Sequence, residues 1–315
     1  MNLLITGAWD QAKDALPLIL NSGHAVVFMQ RERDALPCAP EWVEGVVCNA
    51  LFIHHPIHIF PNLRYIQLTS AGLDRVPMDY VEAHGIEIRN ARGVYSIPIA
   101  EHAVTCVLWF YRGLESFRIN QKAHVWKKQR DLKELNGSHV LIIGCGSVGT
   151  ACAKALSALG CHVCGVGRHI RPQEWFDTIY DAGGLQAGLQ DADVIILAVP
   201  STKETHHLLS NKELSAMKDG ALLVNVSRGQ VLDTQALLNH LPRFTGAALD
   251  VFEEEPLPVD SPLWDMQNVL ITPHNSYAGS GNGARMKRVI LENLSSCDEA
   301  NTVGGNGPKP YSSIS

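Results

Sequence analysis

Three polar side chains with complementary chemistry follow three short apolar runs of strand length. Arg228, Glu255 and His274 each come a few residues after such a run. Because the carboxyl ends of parallel strands meet at one edge of a sheet, where open α/β folds bind their ligands, these side chains can converge there. Taken singly, each could be an ordinary surface residue. Together they supply a cation, a carboxylate and an acid/base group, the set that a reductase of 2-oxo acids needs, and we predict them as the catalytic residues.

A glycine-rich loop joins a predicted strand to a predicted helix. The strand at 139–143 leads into Gly144-Cys-Gly146-Ser-Val-Gly149, and another strand begins within ~20 residues. In this context the first glycine permits a tight turn, the second lets the backbone approach a pyrophosphate, and the third packs helix against strand. The start of the helix then stabilises the phosphate charge. The loop predicts dinucleotide binding, the alternative being a tight turn without a ligand; the predicted contacts are Gly144, Gly146, Ser147, Val148 and Gly149.

The residues after the second strand indicate which dinucleotide binds. An acidic residue there would accept hydrogen bonds from the ribose 2′-hydroxyl, but the sequence has Gly167-Arg168-His-Ile-Arg171-Pro172. An arginine can bind a 2′-phosphate through charge-assisted hydrogen bonds, whereas a carboxylate would repel it. We therefore predict Arg168 and Arg171 as cofactor contacts and favour NADP(H), the alternative being a solvated basic turn in an enzyme that uses NAD(H).

The elements that must position these residues fall into two series. The 315 residues are enough for two domains. Residues 1–97 alternate short apolar runs with helical stretches, which predicts a small α/β sheet. After a long helical pattern at 98–121, six further strand-like runs predict a doubly wound parallel sheet. Residues 301–315 are rich in Gly, Pro, Ser and Asn and predict a flexible tail.

Composition excludes several classes of protein. The net charge of −6 argues against nucleic-acid binding, and no apolar run approaches the ~20 residues that span a membrane. The eight cysteines are scattered through apolar segments rather than arranged as a disulfide framework, and the start of the chain has no basic leader, so we expect a cytoplasmic protein. We predict no metal site. His206 and His207 are predicted to lie at a solvent-facing helix start.

The motifs occur together and in an order typical of one family. As a set they resemble the D-isomer-specific 2-hydroxyacid dehydrogenase family, and the segments that carry the resemblance are Thr69-Ser-Ala-Gly-Leu-Asp74, Asn90-Ala-Arg-Gly93, the 144–149 loop, Asn225-Val-Ser-Arg-Gly229, Gly246-Ala-Ala-Leu-Asp-Val-Phe-Glu-Glu-Glu-Pro256 and Asn268-Val-Leu-Ile-Thr-Pro-His274. The missing acidic residue near Arg168 is similar to the family's NADP-preferring glyoxylate and hydroxypyruvate reductases.

The resemblance implies an α/β fold of two domains with the active site in the cleft between them. A flavodoxin-like substrate-binding domain would comprise residues 1–97 and be completed by the C-terminal helix at 282–300. A Rossmann-type dinucleotide-binding domain would comprise residues 98–281, and the flexible tail at 301–315 would follow.

The resemblance also implies roles for individual residues. The reaction would transfer a hydride between NADP(H) and a small 2-oxo or D-2-hydroxy acid. Arg228 would grip the substrate carboxylate, His274 would donate a proton to the carbonyl oxygen, and Glu255 would hold His274 by a hydrogen bond. The backbone amides of Ala71 and Gly72 would also bind the carboxylate. Asp250 would contact the nicotinamide carboxamide beside Val226; the remaining implied cofactor contacts are Val199, Pro200 and Thr205.

Two other functions stay open at this point. One is an NAD-dependent D-2-hydroxyacid dehydrogenase resembling the phosphoglycerate dehydrogenases. The other is a non-catalytic, dinucleotide-sensing binding protein, because the same fold also serves in a transcriptional corepressor. The long helical pattern at 98–121 favours a homodimer.

Overall fold

Two parallel sheets organise the chain. The computed structural model describes residues 1–168, 170 and 172–302, so the predicted contact Arg171 and residues 303–315 of the predicted tail lie outside the described residues. The described residues form twelve strands: β1 (Asn2–Thr6), β2 (Ala25–Met29), β3 (Gly45–Cys48), β4 (Tyr65–Leu68), β5 (Glu87–Arg89), β6 (His139–Ile143), β7 (His162–Val166), β8 (Thr178–Tyr180), β9 (Val194–Leu197), β10 (Leu222–Asn225), β11 (Gly246–Leu249) and β12 (Val269–Ile271).

Ten α-helices accompany the strands in the described residues. They are α1 (Ala12–Asn21), α2 (Leu51–His54), α3 (Met78–Ala83), α4 (Ser96–Tyr111), α5 (Leu114–Lys122), α6 (Ser147–Ala158), α7 (Leu185–Asp191), α8 (Asn211–Ala216), α9 (Thr234–His240) and α10 (Asn282–Thr302). The chain divides into one unit formed by Met1–Tyr95 with the segment from Gly279 onward, and a second formed by Ser96–Ala278.

The first unit contains a five-stranded parallel sheet. Its strand order is β2-β1-β3-β4-β5, the order of flavodoxin-like folds. Every residue of β3 and β4 is buried, as expected for central parallel strands covered on both faces. Helix α10 packs its apolar face in this unit, where Met286, Ile290 and Leu294 join the core around Leu3 and Ile5.

The second unit contains a seven-stranded parallel sheet. Its order is β12-β11-β10-β9-β6-β7-β8, so the direction of winding reverses between β6 and β9. Alternate residues of a strand face opposite layers: Leu223 and Ile195 belong to one apolar core, whereas Val224 and Ile196 belong to the other. In doubly wound sheets the crevice beyond the strands' carboxyl ends at the reversal point is where dinucleotides bind. The predicted α/β fold of two domains on parallel sheets is confirmed.

The single long helix predicted at 98–121 is wrong, because the segment forms α4 and α5 with a break between them. Gly113 adopts a left-handed φ of 60°, which favours glycine and ends the first helix. A side chain at this position would also press against Gln129 and Leu132. This segment therefore forms no long, continuous helix that could pair with a second subunit.

The apolar pattern of the sequence does not predict two of the strands, β5 and β8. Each has three residues and lies at an edge of its sheet. Each buries one apolar residue fully, Ile88 in β5 and Ile179 in β8, between polar or half-buried neighbours. One buried residue is too little periodicity to distinguish a strand from a loop.

The described residues hold neither a membrane-spanning helix nor a metal cluster. None of the helices there is long and apolar enough to cross a membrane. Within the same residues, no group of three or more His, Cys, Asp or Glu side chains is placed to hold a metal ion. All eight cysteines fall in the described part of the chain, and none of them is in a disulfide there.

Asp193 ties the amino ends of the central strands together, which leads to a prediction for stability. Its carboxylate accepts hydrogen bonds from the His139 amide (2.9 Å) and from Lys218 Nζ (3.1 Å). Burial raises the pKa of Asp193, but these hydrogen bonds and the Lys218 charge lower it by more, so that the pKa lies below the ordinary 3.8. A lowered folded-state pKa adds stability above the unfolded pKa that is lost as the pH falls through the folded pKa.

We therefore expect Asp193→Asn to lower the free energy of unfolding by about 1 kcal/mol at neutral pH, a value that allows for solvent screening of this partly exposed group. The loss should shrink as the pH falls from ~4, where the carboxylate of the unfolded chain begins to take up a proton, through the lower pKa of the folded protein. Urea unfolding of both proteins at neutral pH and near pH 3 measures this. The same difference in stability at both pH values would contradict the assignment.

Candidate active site

The three predicted catalytic residues follow neighbouring strands of the larger sheet. Arg228 follows β10, Glu255 follows β11 and His274 follows β12, and these strands are adjacent. Parallel pairing places their carboxyl ends at one edge, so the sheet topology brings all three loops to the same side.

Glu255 and His274 are in direct contact. The distance between His274 Nδ1 and Glu255 Oε2 is 2.7 Å, and the two side chains are 41% and 36% exposed. The other carboxylate oxygen of Glu255 accepts a hydrogen bond from the Phe252 amide at 3.0 Å. A carboxylate on Nδ1 favours a proton on that nitrogen, which leaves Nε2 as the atom that exchanges a proton with a substrate. The pair therefore has the arrangement of an oriented acid/base.

The loop that carries His274 is fixed by Asp250. His274 has a left-handed φ of 49°, which is uncommon for a residue other than glycine, and its amide donates to the Asp250 carbonyl at 2.7 Å. The Asp250 carboxylate accepts hydrogen bonds from Thr272 Oγ1 (2.6 Å), the Asn275 amide (2.9 Å) and the Ser276 amide (3.0 Å). The resemblance implied a cofactor contact for Asp250. The structure adds an anchoring role for this buried carboxylate that sequence reasoning missed.

A tight turn after β10 positions Arg228. The Asn225 side chain accepts hydrogen bonds from the amide (3.0 Å) and hydroxyl (2.7 Å) of Ser227, and it donates to the Arg228 carbonyl at 3.2 Å. Arg228 Nη1 donates to the Ser227 carbonyl at 2.8 Å, and the residue is half-buried. A guanidinium held in this way can bind a carboxylate with two parallel hydrogen bonds.

The three glycines of the 144–149 motif, which spans the turn before α6 and the first residues of that helix, differ in their surroundings as a dinucleotide site requires. Gly144 has a left-handed φ of 110°, and a Cβ there would press against the Ala198 carbonyl. A Cβ on Gly149 would collide with the Gly144 carbonyl, so helix and strand pack at the closest possible distance. Gly146, in contrast, faces open space, with no atom within 4 Å of the place that a Cβ would occupy. The loop therefore leaves room for a pyrophosphate beside the first-turn amides of α6, among them those of Ser147 and Val148, which have no acceptor within the helix.

Arg168 is the residue predicted to contact the 2′-phosphate of an adenosine ribose. It is exposed and follows β7 by two residues. Hydrogen bonds from Thr202 and from the backbone lower the pKa of Glu204, and the positive charge of Arg168 lowers that pKa further, which places Arg168 near the loop after β9. An exposed guanidinium beside this loop can bind an anion through charge-assisted hydrogen bonds.

The other predicted cofactor contacts lie in that loop or at the sheet edge. Thr205 Oγ1 donates to the Pro200 carbonyl at 2.7 Å and accepts from the Thr202 amide at 2.8 Å, so this side chain closes the loop. Val199 precedes the turn and packs against one apolar core. Val226 is buried in the other core, a placement that fits packing at least as well as ligand contact.

Ala71 and Gly72 lie in the first unit, in the loop after β4. The Ala71 carbonyl accepts a hydrogen bond from Asn90 Nδ2 at 2.8 Å, and the Gly72 carbonyl accepts one from Ser70 Oγ at 2.9 Å. These contacts fix the backbone of a loop whose amides, as the family resemblance implies, would bind the substrate carboxylate.

The chain is similar to proteins of one family. A family model described as D-isomer specific 2-hydroxyacid dehydrogenase, NAD binding domain, matches residues 104–276. A glyoxylate reductase from Thermococcus gammatolerans is 32% identical over 244 residues, which cover 74% of this chain and 73% of the relative.

Solved structures agree over nearly the whole chain. A D-isomer specific 2-hydroxyacid dehydrogenase family protein from Aeromonas salmonicida superposes with a TM-score of 0.80 at 29% identity, covering 95% of this chain and 96% of that one. A D-isomer specific 2-hydroxyacid dehydrogenase from Xanthobacter autotrophicus Py2, in complex with NADPH and MES, superposes with a TM-score of 0.77 at 25% identity, covering 94% and 95%.

Proposed function

Since the chain belongs to the D-isomer specific 2-hydroxyacid dehydrogenase family, as its motifs predicted, we propose that it reduces small 2-oxo acids such as glyoxylate and hydroxypyruvate to D-2-hydroxy acids, with NADPH as its preferred cofactor. The family makes it an NAD(P)-dependent oxidoreductase. The observation that carries the proposal is the 2.7 Å contact between His274 and Glu255, in the unit whose glycine loop fits a dinucleotide.

Residues of this chain bind the substrate and supply the proton that its carbonyl oxygen takes up. The bound nicotinamide cofactor supplies the hydride that reduces the carbonyl carbon. Arg228 binds the substrate carboxylate and polarises the carbonyl oxygen, so that negative charge is stabilised where it develops. His274 gives the proton on Nε2 to that oxygen, and it takes a proton back in the reverse reaction. Glu255 orients the ring through Nδ1 and stabilises the imidazolium before the proton leaves.

The cofactor preference rests on Arg168. No carboxylate follows β7 at the position that would bind a ribose 2′-hydroxyl, and the exposed guanidinium suits a 2′-phosphate. The Xanthobacter relative was crystallised with NADPH. The proposed cofactor contacts are Gly144, Gly146, Ser147, Val148, Gly149, Arg168, Val199, Pro200, Thr205, Val226 and Asp250, and the proposed substrate contacts are Ala71, Gly72 and Arg228.

A paired oxidation assay tests the proposal. NADPH and NADH are each offered with glyoxylate, hydroxypyruvate, pyruvate and a branched or aromatic 2-oxo acid, and loss of the reduced nicotinamide is followed by absorbance. We expect turnover with a preference for NADPH. Turnover with NADH alone would overturn the cofactor preference and leave the reaction. No turnover with either cofactor would overturn the reaction and favour a dinucleotide-sensing role.

Helix α5 and the segment that follows it support a homodimer, for a reason other than a continuous helix. Trp126 is 95% exposed, and Val125 and Ile119 are about half exposed. Trp126 lines a cavity of about 760 Å³ together with Phe117 and basic residues of the same segment. Large apolar side chains grouped in this way are typical of protein–protein interfaces. We propose that a second copy of the chain covers them.

Trp126→Ala is expected to shift the protein from dimer towards monomer, because the largest exposed apolar side chain of the segment is removed. Sedimentation equilibrium at micromolar concentration measures the change. Val259→Ala, at another almost fully exposed apolar residue, is the control and should leave the dimer intact. A monomeric parent, or a Trp126 variant that dimerises as tightly as the parent, would contradict the proposal.

A further inference from the structure

A second histidine–carboxylate pair, formed by His207 and Glu253, involves the same acidic segment as the catalytic pair. The distance between His207 Nε2 and Glu253 Oε1 is 2.6 Å, and each side chain is 34% exposed. Glu253 stands two residues before Glu255 in the same acidic segment. The prediction that His207 belongs to a solvent-facing helix start is wrong: the residue lies in a turn and is half-buried against this segment.

His207 connects the loop after β9 to the segment that carries Glu255. Its amide donates to the Gln230 carbonyl at 2.8 Å, and the Gln230 side chain donates to the Glu253 carbonyl at 3.2 Å. Glu253 Oε2 accepts the Thr234 amide at 3.1 Å, so both oxygens of this carboxylate are bound. These contacts fix Glu253 from three separate elements of the unit.

The backbone of His207 is as specialised as that of His274. Its φ is 48°, in the left-handed region that residues other than glycine rarely adopt, and the corresponding value for His274 is 49°. Such conformations cost free energy and persist where surrounding contacts enforce them. For His207 the enforcing contacts are the Gln230 carbonyl on the backbone and Glu253 on the ring.

Charged and aromatic neighbours hold the His207 ring in place. Burial raises the pKa of Glu253, but the hydrogen bonds from Thr234 and His207 lower it by more, so the carboxylate is ionised at neutral pH. Asp233 Oδ2 lies 4.0 Å from His207 Nδ1, and the His206 ring lies 4.1 Å from the His207 ring, centroid to centroid. The His207 ring is thus flanked by two carboxylates and one imidazole.

Glu253 connects His207 to the catalytic pair through a short turn. The Phe252 amide donates to Glu255 Oε1 at 3.0 Å, so residues 252–255 close on themselves around Glu253. A displacement of Glu253 would therefore move the carboxylate that holds His274. On the other side, His207 follows Thr205, which closes the loop assigned to the cofactor.

We propose that His207 is a positioning residue for the reaction: through Glu253 it fixes the 252–255 turn, and with it the Glu255 carboxylate that orients His274. The inference rests on the proposed function, because His207 acts through the catalytic pair and touches no substrate. It assigns the second pair a role in turnover rather than in the general stability of the fold.

The expected result for His207→Ala is a fall in kcat of about tenfold with little change in KM for the 2-oxo acid, because a small misplacement of an acid/base slows the chemical step more than binding. His207→Gln should restore part of the loss, since its amide can still donate to Glu253. Glu253→Gln, which keeps the shape and removes the charge, is the second variant and should also lower kcat. His139→Ala is the matched control, because it removes a 2.8 Å histidine–aspartate pair at the amino-terminal ends of the strands, opposite the site, and it should leave kcat unchanged.

A double-mutant cycle separates positioning from a loss of stability. In a Glu255→Gln background, His207→Ala should lower kcat no further, since its effect passes through Glu255. Independent, multiplying losses would overturn the inference, as would an unchanged kcat in His207→Ala, in His207→Gln and in Glu253→Gln. A parent that turns over no 2-oxo acid would overturn the proposed function, and this inference with it. A parent that turns over while the variants match it would overturn the inference alone.

Discussion

His274→Ala should lower kcat by roughly 10²–10⁴-fold while the dissociation constant for NADPH stays within about twofold of the parent. The alanine variant has no group to give a proton to the carbonyl oxygen as the hydride arrives, so the developing alkoxide must be protonated by water. Cofactor binding is spared because the proposed phosphate contacts lie between β6 and the first turn of α6, and β6 stands four strands away from β12, which precedes His274. Steady-state kinetics give kcat, and fluorescence titration gives the cofactor affinity.

Two further variants sharpen this test. Glu255→Gln keeps an acceptor near His274 Nδ1 but removes the charge, so its loss of kcat should be smaller than that of His274→Ala. His162→Ala removes an exposed histidine at the amino-terminal end of β7, whereas the site lies at the carboxyl ends of the strands. This variant should have no effect on kcat. Unchanged turnover in His274→Ala would remove His274 from the mechanism.

The strands that were predicted well are those with continuous apolar runs. The largely apolar runs at 2–6, 65–68 and 139–143 predict strands, and β1, β4 and β6 have these bounds, because central strands buried on both faces are apolar at nearly every position. The edge strands β5 and β8 carry no such run. The break at Gly113 was hidden because the apolar pattern of α4 continues through it, and only the left-handed backbone shows why a glycine stands there.

The residues of the site that follow strand ends were predictable from the sequence. Arg228, Glu255 and His274 could be placed at one edge because parallel topology sends the ends of β10, β11 and β12 to the same side. The contacts that tune the site were not predictable. Asp250 binds groups 22 to 26 residues away, and His207 meets Glu253 across 46 residues. Hydrogen bonds of this kind depend on how loops pack, and no local pattern marks them.

Arg168→Ala should weaken NADPH binding by roughly tenfold to a hundredfold, the value of one or two hydrogen bonds to a charged group, and leave NADH binding within about twofold. The two cofactors differ only in the 2′-phosphate, so a loss confined to NADPH identifies that phosphate as the partner of Arg168. Because Arg168 is exposed, the difference between parent and variant should shrink as salt is added. Fluorescence titration with both cofactors at two ionic strengths measures all of these quantities.

Glu204 provides a variant with the opposite expected sign. Hydrogen bonds from Thr202 and the backbone are the main causes that lower the pKa of Glu204, and the positive charge of Arg168 lowers it further, so the two charges attract each other when no phosphate is bound. Glu204→Gln removes that competitor and the repulsion of a 2′-phosphate, and it should tighten NADPH binding without changing NADH binding. If Arg168→Ala weakened both cofactors equally and Glu204→Gln affected neither, Arg168 would have only a general role in holding the adenosine end. An NADPH preference would then need another cause. Opposite shifts in the two variants, both confined to NADPH, would establish that this pair of charges reads the phosphate.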